Sequence, residues 1–340
     1  MSICSRRGQL IEGGAMTDGA EAVGPLVVCA GQVVADLFVP PLAALPEAGE
    51  LVTTGDMLSG VGGCSANTAV ALASFGVRTL LSVVVGADAA GDWVRAHLAA
   101  KGLDVSGVVT SDRLATSQTV ILPVTGQDRR YLHAVGANAE YSAAHAAAVA
   151  AGARVLVIGG FLSLPGLTTP DVAALLAQAR AAGTRTVLDV VIPHGTRDAA
   201  ERLAPVLPHV DCFTPNDDEA RLLTGETDPH RQAATLLDWG AASVVITRGP
   251  DGAVYADREQ VVAVRPLPVA VVDGSGAGDA FTAGLVFGLV HDWPVERRLR
   301  FAAAAGASVT RALGTTTSLF SRDEAIAALD DVPLLEMKDT

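Results

Sequence analysis

A chain of 340 residues, half of them hydrophobic, is long enough to bury a large core, which excludes a disordered chain and a small disulfide-stabilised protein. Its 37 acidic residues outnumber its 24 lysines and arginines, and the resulting net charge of −13 argues against binding to nucleic acid. Charged residues or glycines interrupt every apolar run before it reaches the roughly 20 residues that span a bilayer, so we predict no membrane contact.

Residues 1–24 contain no apolar segment typical of a signal peptide, and we predict a flexible extension there, with Met1 or Met16 as the true start. The four cysteines, at positions 4, 29, 64 and 212, are spaced too widely for a zinc finger or a disulfide framework. Reduced cysteines fit a cytoplasmic protein.

From about residue 25 to the end, short apolar runs alternate with helical patterns rich in Ala and Leu. This alternation is typical of a mostly parallel sheet with helices on both faces, so we predict the α/β fold class. In chain order, the predicted buried strands are 79–85, 155–159, 186–190, 212–214 and 243–247, and the predicted helices are 65–75, 92–101, 170–182, 216–223, 229–239, 277–290 and 295–311.

Two segments, about 36–58 and 116–132, break this alternation, because their strand-like pieces are separated by Pro, Gly and charged residues without a helix between them. We predict that both belong to a small β lid at the edge of the main sheet. The chain has no internal repeat or low-complexity linker, so we expect residues 25–335 to form one domain with this excursion.

The most informative segment is 273–281, Asp-Gly-Ser-Gly-Ala-Gly-Asp-Ala-Phe, where a strand end leads through small residues into a helix. Small residues let a ligand approach the backbone, and the first N–H groups of a helix attract anions, so Gly276, Ala277 and Gly278 could hold a phosphate. Asp279 could then accept a proton from an alcohol. For an isolated motif, a tight turn with an aspartate that compensates the helix dipole is the alternative. The sequence contains neither GxGxxG nor a Walker A loop.

Residues 273–279 resemble the C-terminal signature Asp-x-x-Gly-Ala-Gly-Asp of the ribokinase-like (PfkB) family of carbohydrate and nucleoside kinases. Residues 62–67, Gly-Gly-Cys-Ser-Ala-Asn, resemble its N-terminal signature. Between them, 214–219 resemble its Asn-x-x-Glu motif and 247–252 its nucleotide loop. The four matches follow the family's order, and the resemblance implies a three-layer αβα sandwich with a mostly parallel central sheet and a small β lid.

The resemblance also implies transfer of the ATP γ-phosphoryl group to a sugar hydroxyl, with Asp279 as general base and the amides of Gly276, Ala277 and Gly278 as anion hole. It implies substrate contacts from Asp36, Gly62, Gly63 and Asn67, and nucleotide contacts from Asn216, Thr247, Gly249 and Gly252. Asn216 and Glu219 would hold Mg²⁺ through water. Each residue also has an ordinary structural interpretation, such as a turn-capping aspartate for Asp36 or a helix N-cap for Asn216.

A monovalent-cation loop is implied at Asp273, Ser275, Gly314 and Ser318. The segment around Gly314 is one residue longer than is usual in the family, which leaves activation by K⁺ open. Relatives often pair their lids between subunits, and we predict a homodimer because an exposed lid sheet would otherwise leave strand edges unpaired.

The substrate is the least determined part of the interpretation. Ribokinases carry Lys where this chain has Cys64, and an acidic residue after the strand that here ends near Phe161, where this chain has none. The sequence is therefore compatible with a sugar other than ribose or with a sugar acid. The acid group would contact Arg129, Arg130 and His133 on the predicted lid, although these three residues are also typical of a solvent-exposed turn. A nucleoside kinase and a non-catalytic, sugar-responsive regulatory protein are the alternatives.

Overall fold

The computed structural model describes residues 26–127 and 130–335. Its strands, in chain order, are β1 (Val27–Gly31), β2 (Val34–Phe38), β3 (Leu58–Gly62), β4 (Thr79–Gly86), β5 (Val108–Ser111), β6 (Gln118–Leu122), β7 (Arg130–Ala134), β8 (Val155–Phe161), β9 (Arg185–Val190), β10 (Cys212–Phe213), β11 (Ser243–Thr247), β12 (Ala253–Asp257), β13 (Val261–Val264) and β14 (Leu334–Leu335). Its α-helices are α1 (Cys64–Ser74), α2 (Ala89–Ala100), α3 (Ala143–Ala147), α4 (Thr169–Ala181), α5 (Ala199–Leu203), α6 (Asp217–Thr224), α7 (Pro229–Asp238), α8 (Ala277–Val290), α9 (Val295–Val309) and α10 (Arg322–Ala327).

Ten strands form the main sheet, in the order β14-β13-β12-β11-β10-β9-β8-β1-β4-β5. From β11 to β5 the neighbours are parallel, whereas β12, β13 and β14 are added antiparallel at the other edge. Every strand and helix predicted from the sequence is present, with bounds that differ by no more than three residues. The predicted α/β class is confirmed.

Helices cover both faces of this sheet, because successive strand residues point to opposite sides. In β1, Val27 and Cys29 pack with α1, α2, α8 and α9, whereas Val28 and Ala30 pack with α3, α4, α6 and α7. Burial on both faces explains why the central strands are apolar at every position. The three-layer sandwich is confirmed.

A separate four-stranded sheet, in the order β3-β2-β6-β7, occupies the two segments that break the alternation of strands and helices. We call it the small sheet. It leaves the main sheet directly after β1, where Asn138 Nδ2 donates to Val33 O at 2.9 Å and Val33 N donates to Asn138 Oδ1 at 3.4 Å. These two hydrogen bonds fix the point at which the small sheet joins the body of the protein.

Close packing of α8 against α9 fixes the helix that carries Asp279. A Cβ added to Gly284 in α8 would lie 2.6 Å from Ala302 Cα in α9. The two helix backbones can therefore come this close only because residue 284 has no side chain. Among the described residues, no helix combines the length and hydrophobicity that crossing a membrane requires.

Candidate active site

The loop before α8 presents backbone amides at the start of that helix. Gly276 has φ +78°, and an added Cβ would overlap the carbonyl oxygen of Thr315, so this position requires glycine. Ala277 N donates to Gly274 O at 3.3 Å, whereas the described residues give no hydrogen-bond acceptor to the N–H groups of Gly276 and Gly278. A Cβ added to Gly278 would have open space around it. Two of the three amides predicted to hold an anion are therefore uncommitted.

This loop lines a cavity of about 640 Å³. Gly274, Ala277 and Gly278 line the cavity, and so do the predicted nucleotide residues Thr247, Gly249 and Gly252. Phe281 and Gly306 also line the cavity. A Cβ added to Gly306 would lie 3.0 Å from Ala277 O, so a larger residue at this position would crowd the start of α8. A largely apolar cavity of this size, lined in part by the backbone of glycines, fits a nucleotide.

Asp279 lies in the first turn of α8 and is half-buried. Asn67 Nδ2 donates to Asp279 Oδ2 at 2.7 Å, and Thr68 Oγ1 donates to Asp279 O at 3.3 Å, so α1 holds this residue in place. Removal from bulk water raises the pKa of Asp279 to about 6, against the lowering effect of hydrogen bonds from Asn67 and Cys64. Its carboxylate is ionised at neutral pH and is basic enough to accept a proton.

Asn67 retains an unused acceptor beside this carboxylate. The residue is only 4% exposed, and its Oδ1 has no hydrogen-bond partner among the described residues. A buried polar atom without a partner costs free energy unless a ligand or water satisfies it. This geometry fits the contact with a substrate hydroxyl that the family resemblance implies for Asn67.

Asp36, on β2, faces the same region. Its carboxylate lies against Gly62, where an added Cβ would overlap Oδ2. Desolvation raises the pKa of Asp36 to about 7, a hydrogen bond from Thr119 lowers it, and the charge of Asp279 raises it further. Gly63, with φ +92°, begins α1, and its added Cβ would lie 2.7 Å from Gln32 O. Of the predicted substrate residues, Asn67 therefore contacts the Asp279 carboxylate directly, and Asp36 lies near enough for the charge of Asp279 to act on it.

Asn216 and Glu219 form a capping box at the start of α6. Glu219 N donates to Asn216 Oδ1 at 2.8 Å, and Asn216 N donates to Glu219 Oε2 at 2.9 Å, so the helix-cap interpretation of this pair is correct. Thr247 N donates to Pro215 O at 3.1 Å, which joins α6 to the nucleotide loop. Desolvation raises the pKa of Glu219 to about 7, its bond to the Asn216 backbone lowers it, and the charges of Asp279 and Asp218 raise it. Its carboxylate oxygens suit Mg²⁺.

The predicted cation loop is only partly brought together. Asp273 Oδ1 accepts from Ser275 N at 3.1 Å and from Ser275 Oγ at 3.0 Å, and Asp273 Oδ2 accepts from Gly314 N at 3.3 Å. Ser318 Oγ instead lies 2.8 Å from Ser308 O, at the end of α9. Next to Gly314, Thr315 Oγ1 donates to Val61 O at 3.1 Å, which joins this loop to the small sheet.

Two side chains that the sequence analysis did not assign complete the site. Cys64 Sγ and one carboxylate oxygen each of Asp189 and Asp279 lie within 4.8 Å of one another. Gly160 N donates to Asp189 Oδ2 at 3.4 Å, and Cys64 Sγ lies 3.9 Å from Gln32 Oε1. Burial raises the pKa of Asp189, and the charges of Asp279 and Glu219 raise it further. The available signal was a lone acid at the carboxyl end of an apolar strand, the edge where α/β sheets bind ligands.

Comparison with known proteins decides the family. The sequence model of the pfkB family carbohydrate kinases matches residues 25–322. The chain belongs to this family.

Its relatives in the pfkB family include the ribokinase of Haemophilus influenzae, 27% identical over 83% of this chain and 91% of the relative. They also include the ATP-dependent 6-phosphofructokinase isozyme 2 of Escherichia coli, 27% identical over 77% of this chain and 85% of the relative. The structure of Arabidopsis thaliana ribokinase complexed with ribose and ATP superposes with a TM-score of 0.77 at 24% identity, covering 90% of this chain and 99% of that one. As a pfkB family kinase, the protein is a phosphotransferase.

Proposed function

We propose that this kinase transfers the γ-phosphoryl group of ATP to a hydroxyl of a small sugar. The observation that carries the proposal is the position of Asp279: it follows directly after Gly278, which lines the large cavity, and its carboxylate accepts a hydrogen bond from Asn67, which does not line that cavity. A base between a nucleotide-sized cavity and a cluster of hydroxyl-binding groups is the arrangement that phosphoryl transfer needs.

In the reaction, the substrate hydroxyl transfers its proton to a carboxylate oxygen of Asp279. The hydroxyl oxygen bonds to the γ-phosphorus, the bond from that phosphorus to the bridging oxygen of the β-phosphate breaks, and ADP leaves. The N–H groups of Gly276 and Gly278 stabilise the negative charge on the transferred group. Asn67 and Asp36 orient the hydroxyls.

The donor set also fits Mg²⁺. Glu219 and Asp189 offer carboxylate oxygens, which are the hard ligands that this ion prefers, and the charge of Glu219 acts on Asp189. When bound, Mg²⁺ neutralises phosphate charge. The same carboxylates would hold its coordinated water molecules in place.

The small sheet is proposed to cover the substrate. It carries Asp36 on β2 and Gly62 at the end of β3, so it already contributes one wall of the site. Exclusion of water by this cover would suppress hydrolysis of ATP.

The test measures ADP release from Mg-ATP with ribose, deoxyribose, fructose and adenosine. We expect turnover of at least one of them, and a loss of about 10²–10⁴-fold in kcat for Asp279→Asn, the usual contribution of a general base. The exposed Asp92→Asn on α2 is the matched control and should retain activity. Equal activity of the Asp279→Asn and wild-type proteins would refute the assigned base. Omission of K⁺ in the same assay tests the predicted cation loop.

A further inference from the structure

The small sheet carries a row of three polar side chains on neighbouring strands. Asp36 on β2 lies opposite Thr119 on β6, and Thr119 lies opposite His133 on β7. Residues that lie opposite one another on adjacent strands project from the same face of a sheet. The row therefore begins at a predicted substrate residue and ends, two strands away, at the exposed His133.

Hydrogen bonds connect the three side chains of this row. The Thr119 side chain hydrogen-bonds to Asp36, and Thr119 Oγ1 lies 2.9 Å from His133 Nδ1. A threonine hydroxyl has one proton, so a hydroxyl that donates to the carboxylate can only accept from the imidazole. Partial desolvation lowers the pKa of His133, so the ring is neutral at neutral pH and its single N–H is on Nδ1. His133 thus donates to Thr119, and Thr119 donates to Asp36.

The Asp36 carboxylate is confined from the opposite side by β3. A Cβ added to Gly62 would lie 1.9 Å from Asp36 Oδ2, so the carboxylate packs directly against bare backbone there. The hydrogen bond from Thr119 favours the ionised carboxylate, whereas desolvation and the charge of Asp279 on α8 disfavour it. Thr119 therefore affects both the orientation and the charge of Asp36.

We propose that Thr119 and His133 are positioning residues that orient the Asp36 carboxylate toward a sugar hydroxyl, with His133 acting through Thr119. The proposal rests on the sugar-kinase function proposed above. It assigns a role in sugar binding to β6 and β7, which carry none of the four predicted substrate residues. Neither side chain lines the large cavity, so the effect should fall on the sugar and not on Mg-ATP.

The first test is Thr119→Val, which keeps the shape of the side chain and removes the hydroxyl. With ribose, deoxyribose and fructose as probes, we expect the KM of an accepted sugar to rise by about tenfold or more, the usual effect of losing a hydrogen bond to a charged group. The KM for Mg-ATP should not change, and the calorimetric Kd of the sugar should rise by the same factor as its KM. Thr119→Ser keeps the hydroxyl and should stay near wild type.

Thr125→Val is the matched control, because the exposed Thr125 also donates its hydroxyl to a neighbour, Leu42 O, at the end of the small sheet. It should leave both KM values unchanged. An unaltered sugar KM and Kd in a folded Thr119→Val protein would overturn the inference.

The pH profile separates positioning from a merely structural role. Loss of the hydrogen bond from Thr119 should raise the pKa of Asp36 further, so the acidic side of the kcat/KM profile should move to higher pH in Thr119→Val. Asp279, whose charge also acts on Asp36, is present in both proteins. A structural defect would instead lower kcat/KM by the same factor at every pH, and that result would overturn the inference.

The role of His133 is tested by a pair of variants. His133→Leu removes the N–H, and we expect a smaller rise in the sugar KM than for Thr119→Val. His133→Asn places an amide N–H near the position of Nδ1 and should restore much of the loss. Equal sugar KM values in His133→Leu and wild type would overturn the role of His133. The His133 pair carries the test if Thr119→Val does not fold.

Sugar binding without nucleotide distinguishes this inference from the kinase function. Weaker calorimetric binding of a sugar by Thr119→Val, in a wild-type protein that shows no turnover, would support the inference and refute the kinase function. Turnover with an unchanged sugar KM would overturn the inference and leave the kinase function intact. Absence of both binding and turnover with every probe would overturn both.

Discussion

In the proposed reaction, Asp279 must be ionised before the phosphoryl transfer and must bind a proton during it. A pKa of about 6 allows both at neutral pH, whereas an ordinary carboxylate would be a weaker base. Because the pKa is raised, the active form exists above it and is lost as pH falls. We expect kcat/KM to fall by about tenfold per pH unit on the acidic side.

The acidic limb of the pH profile should lie between about 6 and 7, since Asp36 has a pKa of about 7 and is a predicted substrate residue. In Asp36→Asn, the remaining limb should move to about 6, the value for Asp279. A profile of kcat/KM from pH 4.5 to 8, recorded for the wild type and for Asp36→Asn, measures the acidic limb of each. A flat profile across that range would contradict the assignment of the base.

The raised pKa of Asp189 predicts an unusual dependence of the free energy of unfolding on pH. In the folded protein without bound ligand its pKa is raised, so the free energy of unfolding falls as pH rises from the unfolded pKa of 3.8 toward the higher folded value. Asp189→Asn removes this effect. The variant should gain stability relative to wild type with rising pH, by up to about 1.4 kcal/mol per unit.

Urea unfolding at pH 5.5 and pH 8 measures this difference. The pKa values of His97 and His133 are lowered in the folded protein, which acts in the opposite direction, but both histidines are present in wild type and variant and cancel in the comparison. A gap between the two proteins that stays constant with pH would argue against a buried, protonated Asp189.

The sequence identified Asp279 and Asn67 because their motifs contain several residues close together in the chain. Asp189 has no such motif: it lies in a strand whose place in the site depends on β9 pairing with β8, which in turn pairs with β1. A strand order of this kind joins distant segments, and one sequence does not contain that information. The roles implied for the four predicted substrate residues stay predictions.

At the scale of elements, the contact between α8 and α9 sets the position of Asp279, the proposed base. In an exposed helix, Gly→Ala stabilises by about 1 kcal/mol. At Gly284 the new Cβ would lie 2.6 Å from the Cα of Ala302, and backbone cannot move aside as a flexible side chain can. Overpacking costs about 1–3 kcal/mol, so we expect Gly284→Ala to lower the free energy of unfolding.

Thermal and urea unfolding check this expectation. Gly55→Ala is the control, because its added Cβ would have no neighbour closer than 3.9 Å. We expect kcat to fall in Gly284→Ala as well, since a displaced α8 moves Asp279. A stabilised Gly284→Ala protein would show that the helices separate freely.

The long parallel strands and their helices were predictable because continuous apolar runs and helical periodicity extend over many residues. The antiparallel edge of the main sheet was not predictable in this way. Strand β14 has two residues, and β12 and β13 are short strands joined by a turn, so none of the three gives a distinctive sequence pattern. The small sheet was located by the absence of helices, although β2 begins before residue 36 and β7 extends past residue 132.

At the scale of the whole molecule, the small sheet predicts self-association. Its edge strands β3 and β7 expose Leu58 by 40% and Leu132 by 63%, and Leu51 is 92% exposed in the connecting segment. Strand edges with apolar side chains are suited to pairing. We expect a homodimer in light scattering, and Leu132→Glu should shift it toward monomer.

Leu222→Glu is the matched control, because Leu222 is 67% exposed but lies on α6, away from the small sheet. It should leave the dimer unchanged. A monomeric wild-type protein at the concentrations used for light scattering would show that the expected pairing of lids is wrong for this chain.

The hydrogen bond from Thr315 to Val61 joins the loop after α9 to the small sheet. Thr315 also packs its carbonyl against Gly276, in the turn before α8 that is proposed to bind phosphate. Under the proposed function, a ligand that orders the turn before α8 also restrains the small sheet. Thermodynamic reciprocity then requires the sugar to tighten nucleotide binding by the same factor as the nucleotide tightens sugar binding. Calorimetric titrations of each ligand with and without its companion should show this cooperativity, and Thr315→Val should diminish it in both directions alike.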